Sequence, residues 1–114
     1  MGKTISCINV KEAKSVEAIP GLIRTTLAYT PEQMVCHFSV RKGVKMQMHT
    51  HIMAQAGYVI SGEMIFEREG NTSLPVTAGS AYCFRPNEPH RLVALEDTEF
   101  IEIFTPAREE YIAK

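Results

Sequence analysis

Turn-forming pairs interrupt this chain at intervals of about 8 to 20 residues, which leaves room for short strands and little else. The pairs are Pro20-Gly21, Thr30-Pro31, Lys42-Gly43, Ser61-Gly62, Gly70-Asn71 and Ala78-Gly79. Between them lie runs rich in β-branched and aromatic residues, the composition that fits a pleated, half-buried surface. Leu22 to Tyr29, Met34 to Val40, Met46 to His51, Ala56 to Ile60, Met64 to Arg68, Ala81 to Arg85, His90 to Leu95 and Glu99 to Phe104 read as strands. About eight short strands in so small a chain predict an all-β fold, a sandwich or barrel. Ile5 to Val10 reads as a further edge strand. Only the C-terminal end reads as helical. There Thr105 is a cap, Pro106 suits the first turn, and Ala107 to Ala113 follow with Glu109 and Glu110 early.

The chain has 114 residues, enough for one domain spanning residues 1–114. Its 12 basic and 13 acidic residues give a net charge of −1. No basic excess is present to neutralise phosphates, so nucleic acid is not expected as a partner. The longest apolar runs are as short as Ala56 to Ile60 and Leu92 to Leu95. A membrane helix needs about 20 apolar residues, so no membrane span is expected. Met1-Gly2-Lys3-Thr4-Ile5-Ser6 matches the N-myristoylation pattern, which is short enough to occur by chance. Cys7, Cys36 and Cys83 are odd in number and form no CxxC pair. They read as reduced thiols of a cytoplasmic protein.

A period-2 strand sends alternate side chains to opposite faces. In Thr98 to Phe104, one face then carries Phe100, Glu102 and Phe104, and the other carries Ile101 and Ile103. A carboxylate between two phenylalanines is costly on a buried face unless it is paired or protonated. Glu102 is therefore either exposed, with the isoleucine face as core, or points into a ligand cavity. His49 and His51 are one residue apart, so a strand puts both rings on one face. Gln55 follows at an even offset, and His90 opens a distant strand. Three neutral imidazoles and an amide oxygen suit one divalent ion: Ni, Zn, Fe, Mn or Cu.

The spacing Gly43-x5-His49-x-His51-x3-Gln55-x6-Gly62 resembles the first motif of the cupin family, with glutamine where that motif has glutamate. Gly79 to Pro89-His90 resembles the second motif, although Pro86, Glu88 and Ala94 depart from it. Together they make a metal-motif core over about residues 43–94. The resemblance implies a jelly-roll barrel of antiparallel strands with a metal in its mouth, often as a homodimer. A neutral Gln55 leaves the ion's charge uncompensated, which favours an anionic, oxygen-rich ligand.

Val93-Ala94-Leu95-Glu96-Asp97 and Phe104-Thr105-Pro106-Ala107-Arg108-Glu109 are similar to the end of the KdgF-type cupins of pectin and alginate breakdown. That family opens the ring of 4,5-unsaturated monouronates to linear keto-uronates. The resemblance implies metal ligands at His49, His51, Gln55 and His90, catalytic roles for Glu102 and Arg108, and substrate contacts from Phe104 and Arg108. It places a small anionic sugar acid in the cavity. The family has aspartate where this chain has Glu102, and often one residue more before the glutamine. Two other classes stay open: a cupin dioxygenase acting on a small organic substrate, and a non-catalytic cupin that binds a small acid.

Overall fold

The computed structural model describes residues 3–70 and 72–112. Met1 and Gly2, which begin the acylation pattern, lie outside the described residues, as do Asn71 of the Gly70-Asn71 turn, Ala113 and Lys114. The strands are β1 (Ser15–Ile19), β2 (Leu22–Thr30), β3 (Gln33–Val40), β4 (Ala54–Ser61), β5 (Glu63–Arg68), β6 (Thr72–Thr77), β7 (Ala81–Phe84), β8 (His90–Ala94) and β9 (Thr98–Thr105). They form one sheet in the order β1-β2-β3-β9-β4-β7 and a second in the order β6-β5-β8. Every strand pair is antiparallel. Among the described residues no helix is long and apolar enough to cross a membrane.

Alternation decides what faces inward. On β3 the buried positions are Met34, Cys36, Phe38 and Val40. On β9 they are Thr98, Phe100, Glu102 and Phe104. The two inner faces meet around Phe66 of β5, whose ring centroid lies 4.5 Å from that of Tyr82. The isoleucine face of β9 is therefore the outer one, and Ile103 is 42% exposed. Glu102 points into the fold beside the phenylalanines. Gly62 joins β4 to β5 at φ 96°, where an added Cβ would lie 2.3 Å from the Asp97 carbonyl oxygen. Only glycine fits that close approach.

Several expected elements take a different form. β1 and β6 were not apparent in the sequence, because both are sheet edges with few inward apolar positions. β6 even carries Pro75, which an edge strand tolerates. Met46 to His51 is not a ladder strand. It runs beside β8 and is held by isolated bridges, Lys45 to Val93 and His49 to His90. Ile5 to Val10 contributes a single bridge, Ile5 to Tyr29, and the chain then turns into a 3-10 helix at Val10–Glu12. The expected helix over Ala107 to Ala113 is one 3-10 turn, Glu109–Tyr111. The sheet claims Thr105, which pairs with Ala54, and the Ala107 amide is bound to the Pro31 carbonyl. The residues that would start a helix are thus already committed elsewhere.

All three cysteines are free. Burial pushes the Cys36 thiol up to about 12, so it stays protonated and inert.

Candidate metal centre and cavity

His49 and His51 extend from the bridged segment and His90 from the start of β8. One ring nitrogen of each lies within 4.8 Å of the others. The backbone sets which nitrogen that is. The Nδ1–H of His49 donates to the Gln47 carbonyl at 3.0 Å, that of His51 to Met53 at 2.8 Å, and that of His90 to Glu88 at 2.8 Å. Carbonyls only accept, so each neutral ring keeps its lone pair on Nε2. Backbone partners of this kind fix the tautomer and orientation of metal-binding imidazoles. Burial holds His51 below the usual histidine range, assisted by the Arg108 charge. Burial lowers His90 to about 4. These two rings are neutral and able to ligate near pH 7.

Two further observations show that the residues fit a cation. His90 Nε2 is buried with no hydrogen-bond partner among the described residues. His51 Nε2 stands 2.9 Å from Gln55 Oε1, so two acceptors face each other. A positive ion among them satisfies all of these lone pairs. Titration with Ni²⁺ or Zn²⁺ is expected to give one ion per chain. His90→Ala is expected to lower affinity at least tenfold, measured by calorimetry and metal analysis, because it deletes one of four donors.

Glu102 governs the amide. Gln55 Nε2 donates to Glu102 Oε2 at 2.6 Å, which turns Gln55 Oε1 toward the histidines. Tyr82 donates its hydroxyl to the same oxygen at 2.7 Å. Both bonds fall on Oε2, which leaves Oε1 available to a bound molecule. Burial raises the Glu102 carboxyl to about 7, opposed by the hydrogen bonds from Tyr82 and Gln55 and by the Arg108 charge. A carboxyl near neutrality can both take and return a proton.

A cavity of about 430 Å³ opens beside this cluster. His49, Gln55, His90, Glu102 and Arg108 line it. His51 and Phe104 border the centre without lining that cavity. Phe104 is 1% exposed and packs against His51, with ring centroids 6.0 Å apart. Arg108 lies over the rings of Phe104 and Tyr111, at 5.1 and 4.3 Å, and pairs with Glu110 at 3.0 Å.

Gly57 and Arg24 had no prominence in the sequence, and Tyr82 read there as core or dimer packing before cavity lining. Tyr82 crosses β4 at Gly57, whose register partners are Tyr82 on β7 and Glu102 on β9. A Cβ on Gly57 would stand 2.3 Å from the Tyr82 hydroxyl oxygen. Gly57→Ala is expected to push Tyr82 off Glu102. The cost is about 1–3 kcal/mol of stability, typical of an overpacked core, read by denaturant unfolding.

Residues 36–104 match the cupin domain family. No curated protein sequence matches the chain. Among solved structures, an RmlC-like cupin from Shewanella frigidimarina NCIMB 400 is 25% identical with a TM-score of 0.89, covering 98% of this chain and 100% of that one. KdgF from Halomonas sp. is 30% identical with a TM-score of 0.83, covering 93% and 98%. Ectoine synthase from P. lautus, at 20% identity and a TM-score of 0.78 over 87% and 76%, shares the fold. With two antiparallel sheets, both histidine motifs converging between them and a domain match over more than half its length, the chain belongs to the cupin family.

Proposed function

We propose that this cupin is a metal-dependent enzyme that opens the ring of 4,5-unsaturated monouronates to linear keto-uronates. The observation that carries the reading is the placement of Glu102. A buried carboxyl with one free oxygen faces the same cavity as the imidazoles, joined to them through Gln55. The likeness to KdgF from Halomonas sp. supports the substrate class.

The substrate is a cyclic hemiacetal whose ring oxygen is also an enol-ether oxygen. Ring opening breaks the bond between the anomeric carbon and that oxygen. The anomeric hydroxyl loses its proton and becomes an aldehyde, and the oxygen left on the other side becomes an enolate. A proton added at carbon then gives the ketone, so the reaction is an isomerisation and needs no oxidant. His49, His51, His90 and Gln55 would hold a divalent ion, which would supply Lewis acidity for the negative charge that develops on ring opening. Glu102 takes the hydroxyl proton on Oε1 and returns a proton to carbon. Tyr82 and Gln55 keep that carboxyl aimed while its charge changes. Arg108 exchanges Glu110 for the substrate carboxylate and binds it through two parallel N–H donors.

The test is an assay on 4,5-unsaturated monouronate generated with a lyase, following loss of the enol-ether absorbance. The protein as isolated is expected to accelerate that loss, and chelation to return it to background. Arg108→Ala is expected to raise KM at least tenfold, the loss of a charge-assisted pair. A rate equal to the spontaneous background overturns the reading, and oxygen consumption with diketones and phenols is then the next measurement.

A further inference from the structure

The ring-opening chemistry leaves one buried cation of the cavity unused. Arg24 lies on β2 and is only 6% exposed. Its row in the sheet is apolar, with Phe38 beside it on β3 and Phe100 beyond that on β9. Its guanidinium sits over the Tyr111 ring at 4.0 Å. Its buried Nε has no hydrogen-bond partner among the described residues. Arg68, Arg91 and Arg108 each pair with a carboxylate, whereas Arg24 pairs with none among the described residues.

The carboxylates that line the same cavity are engaged elsewhere. Glu17 accepts from the Gly21 amide, Glu102 from Gln55 and Tyr82, and Glu110 from Arg108. Arginine cannot shed its proton, so a full charge stands on the cavity wall with its Nε buried and no carboxylate paired to it among the described residues. Such a group is costly in an empty protein, and a bound anion removes the cost.

Position gives the subsite its meaning. Gln55 lies on β4, with β9 and β3 between it and β2. The Arg24 row meets β9 at Phe100 and the Gln55 row meets it at Phe104, a step of about 13 Å along the strand at the usual rise. Arg24 and the metal-binding cluster face one cavity from different strands of the sheet. Tyr111 lies between Arg24 and Arg108 and contacts both guanidiniums.

We propose that Arg24 forms a second anion-binding subsite in the cavity, across the Tyr111 ring from Arg108. The cavity then selects small acids that are acidic or hydroxyl-rich at both ends over acids with one apolar end. This goes beyond the ring-opening reading, since it holds for any two-ended ligand whether or not it turns over.

The test uses the metal-loaded protein and two five-carbon probes, glutarate and pentanoate, titrated by calorimetry. Wild type is expected to bind glutarate at least tenfold more tightly. Arg24→Gln is expected to bind the two probes equally, with pentanoate affinity within twofold of wild type and a melting temperature no lower. Arg24→Lys, which keeps the charge but not the planar fork, is expected to recover only part of the preference. A wild type that binds neither probe, or both equally, overturns the proposal. So does an Arg24→Gln variant that keeps the preference, or one that melts lower and loses both probes alike. No turnover is read here, so failure of this titration and failure of the uronate assay are separate results.

Discussion

Replacing Glu102 with glutamine is expected to lower kcat by about 10²–10⁴, the usual worth of a positioned general acid–base. The substitution preserves the shape and hydrogen bonding of the site. An amide has the same size and shape as the carboxyl. Its oxygen can still accept from Tyr82 and Gln55, the two donors that meet Glu102 Oε2. Metal content and melting temperature should therefore stay at or above the wild-type values, since a buried ionisable group is replaced by a neutral one. The proton shuttle alone is removed, because the amide nitrogen that replaces Oε1 can take up no proton from an anomeric hydroxyl. Kinetics on unsaturated monouronate together with metal analysis check this. A variant with wild-type kcat would show that Glu102 only orients Gln55.

Gln55→Glu is expected to keep the metal and still lower kcat at least a hundredfold, again within the range for a lost acid–base group. Glutamate is what the first cupin motif ordinarily carries, so the substitution looks like a repair. In this chain it creates a conflict. Gln55 Nε2 lies 2.6 Å from Glu102 Oε2, and a carboxylate at position 55 puts two like-charged oxygens at that range. Both cannot ionise together, so they share a proton and Glu102 ceases to be a free base. The double variant Gln55→Glu with Glu102→Gln restores a donor facing an acceptor. It should regain thermal stability without regaining turnover. Metal analysis, melting and kinetics on the two variants separate these effects, and full activity in the single variant would refute the argument. Gln55 and Glu102 are thus one choice: a carboxyl base behind the ligand calls for an amide in front of it.

The interior strands were readable because their alternation is strong. Met34 to Val40 and Glu99 to Phe104 each present one apolar face, and the sheet buries those faces. Which face of β9 is inside was not readable from β9 itself, since Phe100 and Phe104 compete with Ile101 and Ile103. The packing of β3 and β5 decides it, and with it the place of Glu102. The metal donors were readable from spacing, although their carrier is not a ladder strand. One residue between His49 and His51 still puts both rings on one side, at 5.7 Å between centroids. Arg24 left a weaker trace, a charge two residues after Leu22 on the inward face. Gly57 left none, because its requirement comes from Tyr82 on another strand. The tail misled because its helix signals are local, while the hydrogen bonds that override them come from Pro31 and Ala54.

The segment that carries His49 and His51 is fastened to β8 by five backbone hydrogen bonds spread from Gly43 to His49, while His90 belongs to β8 itself. The consequence is kinetic. Release of a bound ion would then require that paired stretch to open, a local event that leaves the interior strands in place. A metal bound there would exchange on the timescale of that opening and not of global unfolding.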